Sequence, residues 1–229
     1  MFIFFIIVCL LVLNFRRLYF SYDFKRVSYD FTLIFGKKGS GKTSYMTMCA
    51  QKYHKHGITV LCTEPDIDNT FYLDPQYLGK YWLPENTVLL IDELSVMFNS
   101  RDFKNTSKDV LKWFKYSRHN KVKVIAFTQV YDDSDKQIRN LADKLYVAKN
   151  MGAFATYRRI NKVLTLKVND SGTGEIIDSF EYTPILRKGS IMFCSLKKWR
   201  KHFDSFTKDR RILKRIYNFT GTGIVHLKS

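Results

Sequence analysis

Tyr29-Asp30-Phe31-Thr32-Leu33-Ile34-Phe35 runs without interruption into Gly36-Lys37-Lys38-Gly39-Ser40-Gly41-Lys42-Thr43. The first seven residues are aromatic and β-branched enough for a buried strand, and the next eight fit the pattern GxxxxGK[ST] in the context that pattern requires, strand before and helix after. Glycine spacing of this kind lets successive backbone N–H groups turn inward around phosphate oxygens, with the positive end of the following helix aimed at the same point. The spacing therefore predicts a nucleotide site formed by Gly36, Lys37, Lys38, Gly39, Ser40, Gly41, Lys42 and Thr43. Lys42 reaches the β- and γ-phosphates of ATP and Thr43 ligates Mg²⁺. A helix is expected from Thr43 to about Lys55.

Downstream, Val88-Leu89-Leu90-Ile91 is an apolar strand that ends in Asp92-Glu93. Two carboxylates at a strand end fit either a helix cap or a Walker B segment. With a Walker A segment upstream the second reading is adopted: Asp92 in the metal shell and Glu93 polarising a water for attack on the γ-phosphate. Two further strands are expected, Ile58 to Thr63 and Val122 to Thr128, the second after a helix including Lys108 to Arg118. Gln129, at the tip of that second strand, is a candidate γ-phosphate sensor or a plain strand-end glutamine. Ser134-Asp135-Lys136-Gln137 reads as a capping box that opens a helix, and Lys144 to Ala148 as a fifth strand. Strands alternating with helices give an α/β fold with a mainly parallel sheet and right-handed crossovers.

The ends of the chain differ from its middle. Residues 1–13, MFIFFIIVCLLVL, carry no polar side chain, although the mean hydropathy of the whole chain is −0.23. Thirteen helical residues span roughly 20 Å against the roughly 30 Å of a bilayer core. Extension through Asn14 to Phe20, with Arg16 and Arg17 snorkelling to headgroups, makes a membrane anchor over 1–20 the expectation. The cations that follow, Arg16, Arg17, Lys25 and Arg26, place the remainder of the chain in the cytosol. Four cysteines, Cys9, Cys49, Cys62 and Cys194, show no CxxC spacing and suit a reducing compartment.

The 229 residues carry a net charge of +17, which directs attention to polyanionic partners, anionic lipid or nucleic acid. Between Arg187 and Ser229 the balance is +10. Apolar residues recur there at Leu196, Trp199, Phe203 and Phe206, then at Ile212, Leu213, Ile216 and Tyr217, so two basic amphipathic helices are expected. A solvated face, a membrane-surface helix and a DNA-backbone contact all fit this pattern. Before it, Phe154 to Val168 and Glu175 to Tyr182 flank the turn Asn169-Asp170-Ser171-Gly172, a hairpin signal. The expected organisation is an anchor at 1–20, a nucleotide-binding domain at 27–150 and a hairpin with basic helices at 151–229.

From about Phe31 to Lys149 the chain resembles the filamentous-phage (inovirus) assembly ATPase and zonular occludens toxin family, of the additional-strand P-loop class. The resemblance rests on GKKGSGKT; Leu83-Pro84; LLIDEL followed by Phe98-Asn99-Ser100-Arg101; Arg118-His119; Thr128-Gln129; and Asp135-Lys136-Gln137-Ile138-Arg139. It implies a host-membrane ATPase that helps extrude a virion. It also implies a homo-oligomer, with Arg101 or Arg118 supplied to a neighbouring site, and partnership with phage coat protein and with single-stranded DNA or its binding protein. One departure is the place of the apolar run, which precedes the ATPase domain here and follows it in the better-known members. A DNA-translocating or genome-packaging ATPase is the alternative.

Overall fold

The computed structural model describes residues 4–6, 24–98, 108–168, 174–185, 187–203, 217–219 and 225–227. The anchor expected at 1–20 lies outside these apart from the helical turn at Phe4 to Ile6, whose side chains are exposed. Among the described residues no helix is long and apolar enough to cross a membrane.

The order of elements follows the alternation read from the sequence. β1 (Phe31–Phe35) leads into α1 (Lys42–Lys55), then β2 (Val60–Cys62), β3 (Phe71–Tyr72), β4 (Thr87–Ile91), the short α2 (Leu94–Met97), α3 (Lys108–Tyr116), β5 (Val122–Thr128), α4 (Lys136–Asn140) and β6 (Lys144–Asn150). β7 (Phe154–Val168) and β8 (Gly174–Tyr182) form the expected hairpin, and β9 (Ile191–Ser195) precedes α5 (Leu196–Trp199). The order in the sheet is β3-β2-β4-β5-β1-β6-β7-β8, with β9 also paired to β7. β1 to β6 are mutually parallel, and β7 pairs antiparallel with β6, β8 and β9. The hairpin thus continues the sheet of the nucleotide-binding domain across residue 150. β5 lies between β1 and β4, the strand insertion that gives the additional-strand class its name.

β1, β4 and β5 are buried almost throughout because helices cover both faces of the sheet. Their alternation sorts side chains into two cores. Ile34, Val88, Leu90, Ile125 and Phe127 meet α1 on one face. Phe31, Leu33, Leu89, Ile91 and Val124 meet Val110, Trp113 and Phe114 of α3 on the other.

Three expectations change in detail. The cap of α4 is Asp135, whose Oδ1 accepts from the N–H groups of Gln137 and Ile138. Ser134 instead donates to Thr128 Oγ1 at 3.3 Å, because the backbone turns one residue later than the S-x-x-Q spacing suggests. The first basic helix is one turn, α5, followed by a 3₁₀ turn over Arg200–His202: Leu196 and Trp199 reach the core, and Phe203 is already extended. Of the second expected helix, Tyr217 lies in β10 (Tyr217–Phe219), paired antiparallel with β11 (Val225–Leu227), where aromatic and β-branched residues favour a ladder. The rest of that helix lies outside the described residues.

Candidate functional site

The loop from Gly36 to Thr43 sits at the C-terminal end of β1, and its two inner contacts show why glycine is needed. A Cβ at Gly36 would stand 2.6 Å from the carbonyl oxygen of Ala148, and one at Gly41 would stand 2.7 Å from Ala155 Cβ. Gly41, with φ of 97°, is also left-handed, the conformation that opens α1 at minimal steric cost. Lys42 is 7% exposed, and its Nζ donates to the carbonyl oxygens of Gly36 at 2.6 Å and Lys37 at 3.3 Å. Burial pulls its ammonium below the ordinary lysine value, while Glu93 and Asp92 act to hold it up. Those attractions tie Lys42 to the two carboxylates at the end of β4.

Asp92 and Glu93 leave the end of β4, two strands from β1. Burial, with Glu93 and Glu64 nearby, raises the Asp92 carboxyl to about 6. Its N–H is held by Thr63 Oγ1 at 3.0 Å. Glu93 adopts φ 47° and ψ 60° at the position before α2, yet its side chain makes no cap hydrogen bond. A non-glycine residue in this region costs of order 1–3 kcal/mol and is concentrated at functional sites. The carboxylate instead accepts from Gln129 Nε2 at 3.0 Å. Glu93 therefore does not cap α2 with its side chain, and its carboxylate is joined to Gln129.

The structure therefore brings together Gly36 to Thr43, Asp92, Glu93 and Gln129 at the C-terminal edge of the parallel strands, the edge where ligands bind in open α/β sheets. Arg118 lies exposed in the turn before β5, at the opposite edge, one seven-residue strand from Gln129 and so about 23 Å away. Within one chain it does not reach the site. Arg101 lies outside the described residues.

Two groups that hold the loop were not legible as such. Tyr157 on β7 donates its hydroxyl to Gly41 O at 2.7 Å, and Asn150 Nδ2 donates to Gly39 O at 2.9 Å. Burial pushes the Tyr157 hydroxyl far above the ordinary tyrosine range, so it remains a proton donor. Asn150 Oδ1 also accepts from the N–H of Gly152 at 2.7 Å, and the Asn-x-Gly turn was the only signal near it. The end of β6 and the first strand of the hairpin thus both hold the phosphate loop. Tyr157→Phe is expected to weaken nucleotide binding about fivefold, the effect of one net hydrogen bond of about 1 kcal/mol; titration with a fluorescent ATP analogue checks it.

ATP phosphates fit this cradle: two glycines whose Cβ atoms would clash, the buried Lys42, and a Ser40 hydroxyl that is buried with no hydrogen-bond partner. Mg²⁺ fits the donor set of Thr43 and Asp92, because a carboxylate whose charge is disfavoured by burial and by the nearby Glu93 and Glu64 gains most from a divalent cation. The sign of the Asp92 shift gives a second prediction. A carboxyl raised in the folded state binds more protons than the unfolded chain, so stability falls as pH rises from about 4 through about 6 and stays reduced above it. Asp92→Asn is therefore expected to stabilise the nucleotide-free protein above pH 6, on the order of 1 kcal/mol after solvent screening, and to give no gain near pH 4. Thermal melts at the two pH values decide this.

A glycine-rich phosphate loop with a buried lysine, a strand-end Asp-Glu pair and a strand-tip glutamine on the adjacent strand define a P-loop NTPase of the ATP-hydrolysing kind. The sequence profile of the zonular occludens toxin (Zot) family matches residues 50–180, more than half of the chain, and the chain belongs to that family. No curated protein matches the sequence.

Among solved structures, the N-terminal domain of zonular occludens toxin from Neisseria meningitidis is 17% identical, with a TM-score of 0.43, over 58% of this chain and 84% of that one. The genome packaging NTPase B204 from Sulfolobus turreted icosahedral virus 2, in complex with ATP-gammaS, is 16% identical, with a TM-score of 0.44, over 68% and 98%. The flagellar accessory protein FlaH from Methanocaldococcus jannaschii is 12% identical, with a TM-score of 0.40, over 67% and 90%. At such identities a likeness of fold says nothing of a shared activity.

Proposed function

We propose that this protein is a membrane-anchored ATPase, cytosolic in its catalytic domain, that powers assembly and extrusion of a filamentous-type virion through the host membrane. Family membership and the apolar run at 1–13 support the setting. The observation that carries the motor reading is the contact of Gln129 with Glu93. A strand between the phosphate loop and the acid pair presents a side chain that can sense one and hold the other.

In this reading Lys42 neutralises the β- and γ-phosphate oxygens, and Glu93 takes a proton from the attacking water as the water closes on the γ-phosphorus. Gln129 fixes the Glu93 carboxylate, and Tyr157 and Asn150 hold the loop in register. Mg²⁺ on Thr43 and Asp92, when bound, adds charge neutralisation of the phosphate oxygens. The working unit is a homo-oligomer in which Arg101 or Arg118 comes from a neighbour, and the partners are coat protein and single-stranded DNA or its binding protein.

The test is release of particles from host cells that carry Glu93→Gln in place of the natural gene. Loss of extracellular particles with coat protein accumulating in the membrane is expected; a normal yield overturns the reading. The basic segment after Arg187 favours one alternative, a DNA-translocating or packaging ATPase, which requires turnover stimulated by DNA and a steep loss of DNA affinity with salt.

A further inference from the structure

The run Asp135-Lys136-Gln137-Ile138-Arg139 caps and opens α4, and its last residue has no part in the site described above. Arg139 is buried, and its side chain turns back onto residues 129–135, the loop that joins β5 to α4. Nη1 donates to Tyr131 O at 2.9 Å and to Asp132 Oδ1 at 2.8 Å. The guanidinium also lies 4.6 Å from the centroid of the Tyr131 ring. The loop begins at Gln129, two residues before the carbonyl that Arg139 holds.

Both ends of that loop are fastened by short-range bonds. At its start Thr128 Oγ1 donates to Val130 O at 3.1 Å and accepts from Ser134 Oγ at 3.3 Å. At its end the N–H of Asp135 donates to Phe98 O at 2.9 Å, on the chain that follows Glu93 and α2. Its middle is held through Tyr131, whose ring packs on Phe35 at the end of β1, with centroids 5.4 Å apart, and on Phe180 of β8 at 5.0 Å. Ring packing is tolerant of direction, whereas the bond to Tyr131 O is directional and fixes the peptide plane that follows it. An apolar side chain would fill the place of Arg139 at less cost, because Arg139 Nε is buried with no hydrogen-bond partner. What only an arginine offers there is a planar fork that bonds two oxygens while it stacks on a ring.

We infer that Arg139 is a positioning residue for ATP hydrolysis: by clamping Tyr131 it fixes the loop that presents Gln129 to Glu93. The proposal rests on the role given above to Gln129. Gln129 Nε2 stands 3.0 Å from Glu93 Oε1, and a loop free to shift by about 1 Å loses that contact, a misplacement of the size that costs up to about 10²-fold in rate. Arg139 acts through Gln129 and not on the nucleotide, so its removal slows turnover and spares binding.

The experiment is a double-mutant cycle in the full chain, with kcat and the affinity for a fluorescent ATP analogue measured on each variant, and thermal melts to show which variants fold. Arg139→Met is expected to lower kcat about 10-fold with nucleotide affinity unchanged. Gln129→Ala is expected to lower kcat at least as much. The double variant is expected to match Gln129→Ala alone, because the clamp has nothing to position once the amide is gone. Arg139→Lys keeps a cation for Asp132 without the planar fork, and its kcat is expected to fall between those of wild type and Arg139→Met.

A wild-type kcat in folded Arg139→Met overturns the proposal; should the methionine variant not fold, a wild-type kcat in Arg139→Lys does the same. Equal fractional losses from Arg139→Met in the wild-type and Gln129→Ala backgrounds also overturn it, as does a nucleotide affinity that falls in step with kcat, since both are what a merely structural role gives. Wild-type turnover in Gln129→Ala removes Gln129 from the mechanism and the clamp with it. A slow Gln129→Ala beside a wild-type Arg139→Met refutes the clamp alone, so the two readings fail separately.

Discussion

Glu93→Gln is expected to lower ATP turnover by about 10²–10⁴-fold, the range for a positioned general base, with nucleotide affinity close to wild type. The amide is nearly isosteric with the carboxylate, and its oxygen can still accept from Gln129 Nε2, which now stands 3.0 Å from Glu93 Oε1. The left-handed backbone at this position belongs to the turn that ends β4 and persists in the variant. What the substitution removes is a group able to take the proton of the attacking water. Lys42 and the phosphate loop, to which the proposed mechanism assigns binding, stay in place. Single-turnover phosphate release separates the two effects from one preparation, and a rate within threefold of wild type would take Glu93 out of the mechanism. Gln129→Ala is expected to give a smaller loss, because it frees the carboxylate to rotate without deleting it.

The phosphate loop and the acid pair were legible because their chemistry is local: a strand, a glycine pattern and two carboxylates are contiguous in sequence and need no tertiary partner to be recognised. The hairpin was legible for the same reason, since β-rich segments flanked the Asn169-Asp170-Ser171-Gly172 turn. The groups that hold the site were not. Tyr157 reaches Gly41 across 116 positions of sequence and Asn150 reaches Gly39 across 111, and nothing in a strand written FATYRRI marks its tyrosine as a loop buttress. Burial also overrode periodicity in α5, where Leu196 and Trp199 satisfy the core within one turn and the remaining basic residues gain nothing by continuing it. The charge of +17 behaved the same way. Its total was plain from composition, but which cations are paired, as Lys123 and Lys144 are with Asp30, depends on which strand ends stand side by side.

The largest expected effect on stability lies at the foot of the sheet. Lys123 is fully buried on β5, and its Nζ meets Asp30, Ser28 O at 3.2 Å and Ser28 Oγ at 3.1 Å; Asp30 pairs with Lys144 as well. One carboxylate therefore joins the starts of β1, β5 and β6. Burial alone would raise the Asp30 carboxyl, and Lys123 and Lys144 outweigh it, so it stands below the ordinary aspartate value. A carboxyl depressed in the folded state adds stability above its unfolded value of 3.8, and that contribution is lost as pH falls below 3.8 through the folded value. Asp30→Asn removes the charge and leaves a buried ammonium without its counter-ion, which typically costs about 3–5 kcal/mol, a third or more of the stability of many domains. Urea unfolding at neutral pH measures the loss. Adding Lys123→Met should recover most of it, because a buried ion pair exchanged for apolar packing is often neutral. Were the double variant no more stable than Asp30→Asn alone, the loss would come from Lys144 or from the backbone at 28–30. Recovery would instead show that the pair's cost and benefit nearly cancel, so that its retention serves to fix the entry segment against the starts of β5 and β6.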